Sequence, residues 1–256
     1  MRSSFDLTGQ VAIITGGAGL LGKRHAEAIK DAGGIPIVFD LQKAGEHSFV
    51  VDITDKAAVE KARDQILKEY GRIDILINNA ANNPKVEEGG KNLSRAENFP
   101  MEQWDNDLDV GLKGAFLCSQ VFGSEMFKKK KGVILNISSD LGVIAPDQRL
   151  YRKEGVAEEE QPVKPVTYSV VKTGLIGLTR YFATYYSPHV RVNALSPGGV
   201  EAGQPKEFLD RINKLIPLGR MARDTEYQGA VLFLCSDASS YMTGQNLVMD
   251  GGRSVW

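Results

Sequence analysis

A chain of 256 residues with 42% hydrophobic and 25% charged content has the composition of an ordinary globular protein, long enough for one large α/β domain. Its formal net charge of −1 gives no reason to expect nucleic acid or an anionic membrane as a partner. No apolar run approaches the roughly 18–20 residues that span a bilayer, and the opening Met1-Arg2-Ser3-Ser4-Phe5-Asp6 lacks the apolar core of a signal peptide.

In chain order, short β-branched runs alternate with helical patterns. Val11-Ala12-Ile13-Ile14 reads as a buried strand. The glycine-rich run Thr15-Gly16-Gly17-Ala18-Gly19-Leu20-Leu21-Gly22 follows it, then a helix over about 20–32 that Gly33-Gly34 ends. Strands are predicted over 35–39 and 48–51, a helix over 56–70, and a strand over 73–77. The polar stretch 82–100 is loop-like, and 101–127 reads as one long helix closed by the lysines of 128–131, a solvated helix end. A strand over 133–137 precedes the least regular region, 140–165. That region holds Pro146, Pro162, Pro165 and the acidic run Glu158-Glu159-Glu160, and is expected to be a loop over one face of the sheet, with a disordered surface insertion as the alternative. The helix carrying Tyr168 should end near Ser187-Pro188. A strand over 190–195, a helix over 225–236 and a strand over 246–249 complete the chain. The alternation predicts an α/β fold: a Rossmann-type, doubly wound parallel sheet of about seven strands with helices on both faces, in one domain over 1–256.

Three features point to chemistry. The glycine run has a strand before it and a helix after it. Glycines there allow a tight turn and close approach to a pyrophosphate, and the helix N-terminus adds N–H donors and a positive dipole end. Asp40 ends the second strand, 18 residues after Gly22. An acidic residue there bonds the ribose hydroxyls of NAD and repels the 2′-phosphate of NADP. No basic residue lies within 16–22 to favour NADP, although Lys43 would reverse the preference by folding over the adenosine. Finally, Tyr168 and Lys172 lie four apart on a predicted helix and so share a face. A phenol near pKa ~10 is a poor acid–base group at neutral pH, and a neighbouring cation favours its ionised form. The spacing alone is weak, because the chain has eight tyrosines.

Cys118 and Cys235, far apart in helix-like patterns, read as buried apolar residues rather than a disulfide or metal pair. The expected compartment is the reducing cytoplasm. His25, His47 and His189 have no metal-ligand spacing, so no catalytic metal is expected.

With these pieces in order the chain resembles the short-chain dehydrogenases/reductases from Thr15 to Gly252. The matching segments are the glycine turn, Asp52, Asn78-Asn79-Ala80-Ala81, Asn136-Ile137-Ser138-Ser139, the Tyr168/Lys172 pair, Asn193-Ala194-Leu195-Ser196-Pro197-Gly198, Thr243-Gly244-Gln245 and Asp250-Gly251-Gly252. The resemblance implies Tyr168 as acid–base, Lys172 lowering its pKa and holding the nicotinamide ribose, and Ser139 aligning the substrate oxygen. For the cofactor, NAD, it implies Thr15, Gly16, Gly19, Leu20, Leu21 and Gly22 at the phosphates and Asp40 and Leu41 at the ribose. It further implies Asp52 and Ile53 at the adenine, and Asn79, Ala80 and Ala81 along the adenosine. Ile137, Pro197, Gly198, Gly199 and Val200 would lie by the nicotinamide. A homo-oligomer, tetramer or dimer, is implied as well.

Three departures from that pattern stand out. Leu20 replaces a usual glycine, so that Gly16, Gly19 and Gly22 recur every third residue. Gly111 stands where many members have an Asn of a proton relay, which opens the long helix to a kink or a water. Ser139 and Tyr168 stand 29 residues apart, so the 140–165 insertion lies beside the substrate position. Within it, Arg149 is a candidate clamp for a phosphate or carboxylate, with an ordinary surface arginine as the alternative. These features, with Pro197-Gly198-Gly199-Val200 and the terminal Gly-Gly-Arg-Ser-Val-Trp, resemble a subgroup found with sugar-modification proteins such as those of flagellin. The expected activity is NAD-dependent hydride transfer to or from a sugar, sugar phosphate or nucleotide sugar. The alternatives are a general carbonyl, polyol or 3-oxoacyl reductase and, in another class, a non-catalytic dinucleotide-binding regulator.

Overall fold

The computed structural model describes residues 3–45, 47–82 and 94–256. Part of the loop-like stretch 82–100 therefore lies outside the described residues. Seven strands form a single parallel sheet in the order β3-β2-β1-β4-β5-β6-β7. In chain order they are β1 (Val11–Thr15), β2 (Ile35–Asp40), β3 (Ser48–Val50), β4 (Ile75–Asn78), β5 (Gly132–Ile137), β6 (Val190–Pro197) and β7 (Asn246–Met249). The helices are α1 (Leu20–Asp31), α2 (Lys56–Tyr70), α3 (Met101–Leu108), α4 (Gly114–Lys128), α5 (Val166–Tyr185), α6 (Lys206–Ile212) and α7 (Gln228–Cys235).

The central strands are apolar on both faces because both faces are covered. Successive side chains point to opposite sides. Ile13, Ile37, Leu76, Ile134 and Val192 thus join the core under α2, α4 and α5. Ala12, Ile14, Ile75, Ile77, Leu135 and Leu195 join the core under α7. Cys118 and Cys235 are buried free thiols, one in each core. Burial in apolar surroundings pushes both up to about 12.

Asn78 and Asn136 face each other in the register of β4 and β5. Asn78 Nδ2 donates to Asn136 Oδ1 at 2.8 Å and to Ser119 Oγ at 3.0 Å, while Asn136 Nδ2 donates to Thr179 Oγ1 at 2.8 Å. This buried network joins β4, β5, α4 and α5, so Asn78 and Asn136 serve the sheet rather than the cleft.

Three elements differ from expectation. The long helix is interrupted by a π-helical turn over Asp109–Lys113. The last predicted helix begins only at Gln228, and α6 was not foreseen. The insertion is ordered by three short 3₁₀ turns. Leu150 is buried against Ile212, Ile216 and Met221, and Arg211 Nη1 donates to Arg152 O at 2.6 Å. Gln161 pins the centre of the insertion, accepting from Lys153 N at 2.9 Å and donating to Val156 O at 2.7 Å. These contacts explain why a segment rich in proline and charge is folded: its polar groups are satisfied by one another and by α6.

Candidate active site

The strand order reverses between β1 and β4, and a cleft opens there at the carboxyl ends of the strands, as in other open α/β sheets. It is lined by the glycine turn from Gly16 to Gly22, by Asp40 and Leu41 after β2, by Asp52 and Ile53 after β3, and by Asn79, Ala80 and Ala81 after β4. The turn is compact because Gly16 has φ +63° and because a Cβ at Gly22 would lie 2.3 Å from the Gly16 carbonyl oxygen. The first N–H groups of α1 have no partner within the helix and border this cleft. Thr15 holds the turn from beneath: its Oγ1 accepts from Asn79 N at 3.0 Å and from Ala80 N at 3.1 Å. Asn79 Nδ2 returns a bond to Gly16 O at 3.1 Å. The Asp40 carboxylate accepts from Ala18 N at 3.1 Å and Leu41 N at 2.8 Å, which fixes it at the rim. A glycine-floored groove, free helix N–H donors and a carboxylate beyond them fit a dinucleotide, and the carboxylate opposes a 2′-phosphate.

At the ends of β5 and β6 the second group assembles. Lys172 is buried on α5 and its Nζ donates to the Ile137 carbonyl at 2.8 Å. The same nitrogen lies 5.8 Å from the centroid of the Tyr168 ring. Burial pushes Lys172 down to about 8, and the charge of Lys164 adds to that shift. Burial also raises the Tyr168 phenol above its ordinary value, with the Asp140 carboxylate adding to the rise and a hydrogen bond with Ser139 opposing it. Desolvation of the phenolate is the largest of these influences.

Gly111 lies in the π-helical turn, buried beneath α5. A Cβ there would stand 2.4 Å from Val171 Cγ1. Val171 thus occupies the space that a larger side chain at 111 would need, and the wider turn replaces the kink expected there. Beside it, Thr167 Oγ1 donates to the buried Asp107 carboxylate and ties α5 to α3.

The structure places Arg149 in solvent, its side chain 79% exposed and its fork closed on Asp147 at 2.9 and 2.7 Å. Its fork is thus taken up by a neighbour in sequence at the protein surface. The insertion supplies other groups instead. Lys164 Nζ lies 3.8 Å from the Tyr168 ring centroid, on its face, and burial pushes this lysine down to about 8. Tyr151 feels the charges of Arg253 and Asp140, and its own phenol is pushed up to about 12 by burial. Gly198 and Gly199 line a neighbouring cavity with Asp140, Met221 and Arg253. Lys164, Asp140 and Arg253 were not foreseen. Lys164 precedes the Pro165 cap of α5, so no helical spacing links it to Tyr168, and nothing local links Asp140 to Arg253.

Comparison with known proteins finds relatives across the whole fold. A family model described as enoyl-(acyl carrier protein) reductase matches residues 40–254. The chain is 33% identical to an NAD-dependent glycerol dehydrogenase of Listeria innocua, over 98% of this chain and 96% of that protein. It is 33% identical to a D-threitol dehydrogenase of Mycolicibacterium smegmatis, over 98% and 95% respectively. Among solved structures, a short-chain dehydrogenase from Leptospira borgpetersenii with bound NAD+ superposes with a TM-score of 0.87 at 30% identity, covering 99% of this chain and 96% of that one.

Proposed function

The chain belongs to the short-chain dehydrogenase/reductase family, whose NAD(P)-dependent oxidoreductases act on CH–OH groups, and from this premise we propose that it moves hydride between NAD and a secondary alcohol or ketone of a polyol, sugar, sugar phosphate or nucleotide sugar. The observation that carries the reading is the convergence of Ser139, Tyr168 and Lys172 at the carboxyl edge of the sheet, beside the glycine-floored cleft.

Residues 16–22 would hold the pyrophosphate, Asp40 and Leu41 the adenosine ribose, Asp52, Ile53 and Asn79 to Ala81 the adenine side, and Pro197 to Val200 the nicotinamide. A bound nicotinamide supplies the hydride acceptor in oxidation and the donor in reduction. In oxidation the alcohol carbon gives up hydride while Tyr168 takes the proton from its oxygen; reduction reverses both transfers. The neutral phenol favoured by burial is the form reduction requires. Oxidation requires its proton to leave, and the cations of Lys172 and Lys164 favour that departure. Lys172, held by the Ile137 carbonyl, would reach the nicotinamide ribose.

The relatives named for glycerol and threitol support a polyhydroxylated substrate over an acyl chain. So does the charged lining that Asp140, Lys164 and Arg253 give the substrate side. The glycine turn with Leu20, the Gly111 position, the long insertion and the terminal Gly-Gly-Arg-Ser-Val-Trp support a place in carbohydrate modification. Exposed Phe116, Tyr181 and Tyr185 on α4 and α5 support assembly with further copies of the chain. Two buried free thiols suit the cytoplasm, and among the described residues no helix is long and apolar enough to cross a membrane.

The test is NADH formation over glycerol, threitol, mannitol, sugar phosphates and nucleotide sugars, set against NADH oxidation by a 3-oxoacyl thioester. The expected result is turnover on a hydroxylated substrate. A preference for the thioester contradicts the reading. Fluorescence titration should show tighter NADH than NADPH binding, and the reverse order contradicts the role given to Asp40.

A further inference from the structure

Asp140 and Arg253 form an ion pair inside the site, 113 residues apart in sequence, at 2.7 Å from Nη1 to Oδ2. Their side chains are only 9% (Arg253) and 4% (Asp140) exposed. The other carboxylate oxygen, Oδ1, accepts from Ser139 Oγ at 2.8 Å and from Leu141 N at 2.8 Å. Arg253 is delivered by the turn after β7. Gly251 and Gly252 take φ +69° and +91°, and the Asp250 carboxylate accepts from Gly252 N at 2.9 Å and Ser254 N at 2.8 Å. Those positive φ values favour glycine, so the Asp-Gly-Gly-Arg run is a device that folds a guanidinium back onto the residue after Ser139.

A serine hydroxyl has one proton and two lone pairs. An ionised carboxylate only accepts, so the Ser139 proton points at Asp140. Ser139 then presents a lone pair to Leu141 N, at 3.2 Å, while its hydrogen bond with Tyr168 favours the ionised phenol and so competes with Asp140 for the same proton. A phenolate needs the Ser139 proton for itself, and must take it from Asp140.

We propose that Asp140 and Arg253 are positioning residues of the catalytic centre: Asp140 holds the Ser139 proton, Arg253 holds Asp140, and the pair sets which way Ser139 faces Tyr168. This rests on the reading of Tyr168 as the acid–base group. The charged and titratable groups around that phenol are Lys172 on α5, Lys164 ahead of it, Tyr151 in the insertion, Asp140 after β5 and Arg253 from the C-terminal turn. Arg253 offsets a carboxylate that otherwise opposes ionisation of the phenol both by charge and by holding the proton.

The two partners act with opposite sign, which separates this role from mere support of the fold. Phenol ionisation is followed by ultraviolet difference absorbance, subtracting in each background the same protein carrying Tyr168→Phe, so no substrate is needed. Arg253→Met should raise the Tyr168 midpoint by about one unit, and Asp140→Ala should lower it by a similar amount. Arg253→Lys should stay near wild type, and the double variant should return most of the way. Should Arg253→Met fail to fold, Asp140→Ala compared with the double variant carries the same test. Shifts in one direction for both partners, or none, overturn the proposal. Loss of the catalytic reading shows elsewhere, as unchanged turnover in Tyr168→Phe.

Discussion

The two ends of the sheet's carboxyl edge are built by different means. Beside β1 and β2 the cleft is made of main chain: a glycine turn, the first N–H groups of α1, and Thr15 and Asn79 stitching one loop to another. Beside β5 and β6 the site is made of side chains from separate segments. Ser139 and Asp140 follow β5, Lys164 comes from the insertion, Tyr168 and Lys172 come from α5, and Arg253 comes from the C-terminal turn. A main-chain site tolerates almost no added atom, while a side-chain site tolerates substitution until a buried charge loses its partner.

The contrast can be broken at its main-chain end first. Gly22→Ala places a Cβ 2.3 Å from Gly16 O and 2.6 Å from Gly17 Cα, both backbone atoms. NADH affinity is expected to fall by about 100-fold, the scale of effect that a misplaced binding group produces. Gly177→Ala is the control: nothing lies within 4 Å of a Cβ there, and a helical alanine should stabilise by up to ~1 kcal/mol. Fluorescence titration of NADH and a denaturant midpoint for each variant check both.

The boundary between the two ends is sharpened at Gly111. Gly111→Asn, which inserts an amide there, places a Cβ 2.4 Å from Val171 Cγ1. It should destabilise by about 1–3 kcal/mol through overpacking. Adding Val171→Ala should recover most of that loss in urea unfolding. No recovery would mean that the π-helical turn itself, not Val171, excludes the side chain.

His25 on α1 is buried, both ring nitrogens lack a hydrogen-bond partner, and burial lowers it from 6.5 to about 4. The unfolded chain therefore binds a proton that the folded one refuses between those values. Stability from this group is complete above the unfolded pKa and is lost as pH falls toward 4. Between pH 7 and pH 5 the loss should be about 2 kcal/mol. His25→Phe should flatten that part of the curve in urea unfolding at the two pH values, and an equally steep variant would assign the acid sensitivity elsewhere. The smallest effect is expected at Arg149→Ala, where an exposed pair with Asp147 is screened by solvent and contributes little to stability. KM for phosphorylated substrates should not change, and a clear rise would bring Arg149 back into the site.

Much of the fold was legible because strand and helix periods are local. The strand over 246–249 and the helix over 56–70 coincide with β7 and α2. α6, seven residues long, is too short to show a period of its own. The 109–113 turn was hidden because a π-helical segment keeps the apolar pattern of the helices around it, and Gly111 was its only mark. At the site, the glycine turn and the Tyr168/Lys172 pair could be read because each lies in a few consecutive residues. Arg149 could be read either as a clamp or as a surface residue because a sequence does not show which way a short turn aims its side chains. Asp140 and Arg253 went unseen for the opposite reason: they meet only after the whole sheet has formed.

The proposed chemistry needs Tyr168 to exchange a proton with the reacting oxygen. Steady-state NADH formation by wild type and Tyr168→Phe, with NADH affinity measured on the same samples, tests this most directly. Turnover of Tyr168→Phe should fall by roughly 10²–10⁴-fold, the usual worth of a positioned acid–base group, while NADH affinity stays within about twofold. Undiminished turnover in Tyr168→Phe would contradict that chemistry.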